Sequence, residues 1–149
     1  MILWRLSRFE SLDGRGGLFA SSRWHTAGRP VLFFAPNPAT ALLEVLVHSE
    51  VRDPEALAGY RFIKVDIPDG PPVERVDEQA MPKEWPSRVQ VTRARGDRWL
   101  REARSLALEV RCVIVPETWN VVVNPMHPDM ERVRTLAVLP YQLDRRLAD

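Results

Sequence analysis

Apolar and polar positions along the chain fall into short blocks rather than one repeating period. Ile2 to Leu6 predicts a strand, and residues 18–24 predict a second extended piece. Val31-Leu32-Phe33-Phe34-Ala35 has the length and residue types of a buried strand. The next block, Pro38 to Ser49, is apolar on nearly every side and predicts a helix. Asn37 suits its N-cap, and Pro38 suits the first helical position, where a missing N–H costs nothing. Residues 52–60 read as a surface connection. Tyr60 to Ile67 alternates in part and ends at Pro68, as a strand with one wet face does. After the turn Asp69-Gly70-Pro71-Pro72, Val73 to Val76 is a further strand candidate. Val89 to Arg104 predicts an amphipathic helix, with Val89, Ala94, Trp99, Leu100 and Ala103 on its apolar side. Gly96 works against that helix. Residues 105–115 hold apolar runs split by Glu109 and Arg111, Val121-Val122-Val123 reads as a short strand, and Val133 to Pro140 as a last one. The polar tail, 142–149, is expected to fray or to meet a partner. Helices and strands without regular alternation predict an α+β fold of mixed, mainly antiparallel sheets with a few helices.

Length and composition narrow the class. A chain of 149 residues suits one domain, 1–149, with one core. Hydrophobic residues at 45% and charged residues at 28% are those of an ordinary globular protein. The formal net charge is +1, with acidic residues interspersed throughout, so no basic face predicts direct nucleic-acid contact. The positive charge is almost all arginine, Lys64 and Lys83 being the only lysines, and arginine offers a planar fork for phosphate or carboxylate. A single cysteine, Cys112, excludes an internal disulfide and gives no metal cluster. Met1 to Leu6 is too short for a signal peptide, and no apolar run approaches the ~20 residues needed to span a bilayer. The expected address is the cytoplasm.

The chemistry starts at Glu44. It stands inside Ala41-Leu42-Leu43-Glu44-Val45-Leu46-Val47-His48, where an all-apolar helix predicts burial. An ionised carboxylate rarely goes inside without a partner, because desolvation is costly. Either an arginine pairs with Glu44, or Glu44 faces a cleft where a ligand uses it. His48 lies four residues on, on the same helical face, where the carboxylate can orient the imidazole. One His and one Glu do not make the two-histidine zinc helix. Arg23 is a candidate clamp for a phosphate pair, against the commoner role of a surface ion pair. Phe33 and Phe34 point to opposite faces of their strand, so one can fill the core while the other stacks on a planar ring at a pocket wall. Cys112 sits in an apolar strand, the setting of a buried structural cysteine rather than a nucleophile. Gly14-Arg15-Gly16-Gly17 lacks the lysine and the following helix of a phosphate loop and reads as a flexible loop.

In their order and spacing these segments resemble the RES domain, a family of toxins from bacterial toxin–antitoxin pairs. The matching residues are Arg23-Trp24, then Gly28-Arg29-Pro30-Val31-Leu32-Phe33, then Ala41 to His48. Trp4-Arg5-Leu6, Val65-Asp66-Ile67-Pro68, Gly96-Asp97-Arg98-Trp99-Leu100 and Asn120-Val121-Val122-Val123-Asn124-Pro125-Met126-His127-Pro128 extend the likeness over nearly the whole chain. There are three departures. Phe33 stands where the family usually has Tyr, Cys112 at the position of the family Ser (with Arg111 for the preceding Pro), and His25 for the Asn after Arg-Trp.

The resemblance implies an ADP-ribosyltransferase-like fold and an enzyme that breaks NAD at the nicotinamide–ribose bond, with ADP-ribose passed to a protein. It implies Glu44 beside the ribose, Arg23 on the pyrophosphate or ribose with Trp24 next to it, Phe33 stacked on nicotinamide, and Cys112 near the amide or ribose. NAD is then a substrate, and no metal is expected. One alternative is hydrolysis or phosphorolysis of NAD with no protein target. A second is a binding module whose pocket has lost catalysis, and a third a structural domain with Glu44 tied to an arginine. The implied partner is a cognate antitoxin carrying a helix-turn-helix DNA-binding domain, with residues 143–147 of the tail as a possible part of the contact.

Overall fold

The computed structural model describes residues 1–49 and 54–148. Along the chain run β1 (Ile2–Ser7), β2 (Leu32–Phe34), α1 (Pro38–Ser49), β3 (Arg61–Asp66), β4 (Val73–Arg75), α2 (Val89–Glu102), β5 (Ala107–Arg111), β6 (Trp119–Val123) and β7 (Arg134–Pro140). The expected α+β class holds. One sheet has the order β1-β3-β7, antiparallel throughout. The other has the order β2-β6-β5-β4, antiparallel except for the parallel pair β4–β5. Trp4 and Ala35 join the two sheets through reciprocal backbone hydrogen bonds of 2.9 and 2.7 Å.

Alternation along the strands sorts the apolar side chains into layers. Leu3, Ile63 and Val65 of the first sheet meet Leu32, Phe34, Ala107, Val121 and Val123 of the second in one buried cluster. The opposite face of the second sheet carries Leu108, Val110 and Val122, covered by Trp99 and Leu100 of α2 and by Trp24 and Trp85. A third cluster unites Leu6, Leu57 and Leu143 with Leu42, Val45 and Leu46 of α1.

Several local expectations change. Residues 18–24 form no strand; a 3-10 turn, Arg15–Leu18, leads into bends instead. The glycine loop packs tightly, since a Cβ on Gly17 would lie 2.4 Å from the Arg29 carbonyl oxygen. The helix expected to be buried all round is covered on one side only, leaving Leu43 and Val47 exposed. Part of the connection expected over residues 52–60 lies outside the described residues; Pro54–Leu57 forms a 3-10 turn that buries Leu57. The tail is anchored by the buried Leu143 and ends in a further 3-10 turn, Arg145–Leu147, with Asp149 outside the described residues.

Candidate active site

α1 begins directly after β2, and its start is fixed as the sequence predicts: the Asn37 side chain accepts from the Thr40 N–H at 2.8 Å. Two turns on, Glu44 leaves the helix on the side away from the Leu42–Leu46 cluster and reaches the end of the β5–β6 pair. Asn120 Nδ2 donates to Glu44 Oε1 at 2.5 Å, and the Cys112 thiol donates to the same oxygen at 3.3 Å. Glu44 Oε2 has His48 Nε2 at 3.5 Å, with the imidazole largely exposed. Among the described residues no arginine or lysine forms an ion pair with Glu44, whose side chain is 27% exposed. Two donors therefore hold one oxygen, and the other has only the largely exposed His48 ring near it.

Strand register explains why these residues meet. Val110 opposes Asn120, and Val122 opposes both Leu108 and Phe33. Directly opposed residues, and residues two apart, share a face. Asn120, Val122, Phe33 and Val110 thus lie on one face of the sheet. Cys112 follows two residues after Val110, its N–H bonded to the Thr118 carbonyl at 2.9 Å, so the hairpin continues to it. Cys112 is buried, and that burial pushes its thiol above the usual range. N–H groups of Val115 and Ile114 pull the other way, and the Glu44 carboxylate adds to the rise. Burial thus favours the protonated thiol, the form that donates to Glu44.

Phe33 is 38% exposed, while its neighbour Phe34 is buried. The Phe33 ring lies 5.9 Å from the His25 ring at 57°. His25 is itself buried, with Nε2 at 2.9 Å from the Gly17 carbonyl oxygen and Nδ1 at 3.0 Å from Ser22 Oγ. It serves as a strut behind Phe33. Arg23 donates from Nη1 to the Pro86 carbonyl at 2.7 Å, and its own carbonyl accepts from Thr92 Oγ1 of α2 at 2.5 Å. Trp24 is buried, its ring 5.9 Å from that of Trp85. The structure thus brings Glu44 and Cys112 into contact; Phe33 shares the sheet face of Asn120, while Arg23 and Trp24 pack against residues 85–86 and α2, none of the three with a hydrogen bond to Glu44. Asn120 carries no role in the sequence reading, where it is only part of a matching segment. Its one signal is position: an amide on the same face as Val122, opposite Val110.

A groove of about 650 Å³ lies towards the β4 edge between the sheet and α2, lined by Arg75, Arg95, Arg98, Arg104, Trp99 and Leu108. Glu44 is not part of it. Among the described residues no cluster of three or more His, Cys, Asp or Glu side chains is arranged to hold a metal ion, and no helix is long and apolar enough to cross a membrane.

The family model of the RES domain matches residues 2–144. A protein of Pseudomonas putida named Toxin Res is 38% identical over 147 residues, covering 99% of each chain. A Toxin Res of Photorhabdus laumondii subsp. laumondii is 34% identical over 154 residues, covering 99% of this chain and 97% of its own. A Sphingobium protein named Prs ADP-ribosylating toxin is 28% identical over 143 residues, covering 93% of this chain and 87% of its own. Among solved structures, a chain of the M. tuberculosis MbcT-MbcA toxin–antitoxin complex superposes with a TM-score of 0.75 at 13% identity, covering 99% of this chain and 88% of that one. At that identity the likeness is one of fold.

Proposed function

The chain belongs to the RES family, and from that premise we propose that it is the toxin of a toxin–antitoxin pair, a single RES-type domain over residues 1–149 that cleaves NAD and transfers ADP-ribose to a protein. The observation that carries this reading is the state of Glu44. Its carboxylate is held by Asn120 and Cys112, bears no arginine or lysine ion pair among the described residues, and remains partly open.

Breaking the nicotinamide–ribose bond leaves the bonding electron pair on the ring nitrogen and cancels the pyridinium charge. Positive charge moves to the ribose C1′ and its ring oxygen, as in glycoside cleavage. A fixed carboxylate beside that sugar stabilises the charge as it grows. An acceptor nucleophile then attacks C1′ and gives up its proton. Phe33 offers an exposed ring to stack on nicotinamide, and as phenylalanine it does so without the hydroxyl of tyrosine. Arg23, whose Nη1 donates to the Pro86 carbonyl, supplies the guanidinium for the pyrophosphate or ribose, with Trp24 next to it in the chain. Cys112 acts on the sugar side through Glu44. A cognate antitoxin with a helix-turn-helix domain, in the cytoplasm, is the partner this role requires. The exposed Leu43 and Val47 on the helix of Glu44 give it an apolar surface to cover.

Glu44→Gln keeps the shape and removes the charge. Its expected effect is a loss of nicotinamide release by about 10²–10³-fold with an unchanged unfolding midpoint. Release at the parent rate would remove Glu44 from the chemistry. Incubation with adenine-labelled NAD, with and without cell lysate, then locates the label. Label on a protein supports transfer, and label in free ADP-ribose or its phosphate means that water or phosphate is the acceptor.

A further inference from the structure

We propose that Asn120 is the positioning residue that fixes the Glu44 carboxylate for reaction, an inference that rests on the reading of Glu44 as the group beside the ribose. Asn120 stands on β6, an inner strand hydrogen-bonded to β2 on one side and β5 on the other. Glu44, by contrast, extends from a helix with one exposed side on a side chain of three rotatable bonds. The 2.5 Å contact from Asn120 Nδ2 ties the mobile group to the rigid one. Because Asn120 and Cys112 both donate to Oε1, that oxygen is committed, and Oε2, with only the largely exposed His48 ring at 3.5 Å, is the one left to meet the sugar.

The other end of the same amide is the second observation. Asn120 Oδ1 is buried and has no hydrogen-bond partner among the described residues. Turning the amide over would set two oxygens against each other at 2.5 Å, so the orientation is fixed by Glu44. A buried carbonyl oxygen without a hydrogen-bond partner destabilises the fold. An apolar side chain on this face would avoid that cost, so the amide is there for its N–H, not for the stability of the sheet. The titratable groups facing Glu44 are His48 from α1 and Cys112 from the end of β5; no lysine or arginine of the described residues forms an ion pair with it.

Asn120→Leu removes the donor, and the isosteric Asn120→Asp replaces it with a like charge. In both variants kcat for nicotinamide release is expected to fall by about a hundredfold while KM for NAD stays near the parent value. In the aspartate variant the acid limb of the kcat profile moves to higher pH, because a second anion disfavours ionisation of Glu44. A merely structural asparagine would leave the split between kcat and KM unmoved, and in the leucine variant, which adds no charge, the acid limb as well. The same question is read without activity from the NMR titration of Glu44 in protein carrying 13C-labelled glutamate carboxyls, its signal identified by its loss in Glu44→Gln. An upward shift of the Glu44 midpoint in folded Asn120→Leu supports the assignment, and equal midpoints in the parent and that variant overturn it. A parent protein that releases no nicotinamide counts against the NAD reading alone, since the titration still decides the role of Asn120.

Discussion

Cys112 stands where the resemblance to the RES family implies a serine. Its thiol is a weak donor, and it is the second hand on Glu44 Oε1. Burial keeps the proton on the folded thiol at pH values where the unfolded chain has already lost it. Unfolding then releases a proton, so stability falls as pH rises through that alkaline range. Cys112→Ser is expected to keep NAD turnover and to remove this alkaline loss; unfolding midpoints of parent and variant measured from neutral to alkaline pH check it, and parallel curves would refute it. At this scale the sequence is uneven. Glu44 is legible because a carboxylate in an apolar helix demands an explanation. Strand parity says that one of Phe33 and Phe34 faces outward, and the family resemblance picks Phe33, the exposed one. Asn120 is not, because an amide at the head of an apolar run looks like a strand end until the register with Val110 is known. The setting of Arg23 is equally hidden, since its partner carbonyl belongs to Pro86, 63 residues away.

α2 shows what an element does to a neighbouring loop. Arg93 Nε donates to the Ser22 carbonyl at 2.7 Å, Thr92 holds the Arg23 carbonyl, and Asp97 accepts from the N–H and hydroxyl of Thr26 at 2.8 and 2.7 Å. Residues 22–26 therefore spend their backbone groups on a helix, which is why the extended pattern read there makes no strand. Gly96 looks like a flaw in the helix when read alone. In the fold it is the point of closest approach, where an added Cβ would lie 1.7 Å from the Trp24 carbonyl oxygen. Gly96→Ala gains about 1 kcal/mol of helix propensity. The overlap costs more than that, since overpacking commonly costs about 1–3 kcal/mol and here the obstacle is backbone. The expected outcome is a fall of several degrees in the unfolding midpoint by calorimetry; a rise would mean that the loop does not sit on the helix as described. The helices, most strands and the Asn37 cap are all legible from local pattern, because caps and periodicity act within a few residues. The exposed side of α1 is not, because hydrophobicity states a preference for burial and not which faces find a neighbour.

Across the whole molecule, one apolar layer between two sheets carries the fold. Ile63, fully buried, lies in it opposite Arg5 on β1 and Val138 on β7. Ile63→Ala is expected to cost about 2–5 kcal/mol. That corresponds to a drop of roughly 5–15 °C in the midpoint for a chain of this size, measured by thermal unfolding. A loss under one degree would place the core elsewhere. The α+β class follows from the mixture of blocks. The strand order does not, since β2–β6, β1–β3 and β3–β7 are all long-range pairings and the parallel β4–β5 pair has no local signature. The same long reach bears on Glu44, whose two hydrogen-bond donors lie 68 and 76 residues further along. A ribosome that has just completed α1 has made the charge and none of its setting. If Glu44 is the reacting group we propose, a half-translated copy carries no assembled site, and activity begins only when the β5–β6 hairpin emerges and closes on what was synthesised long before.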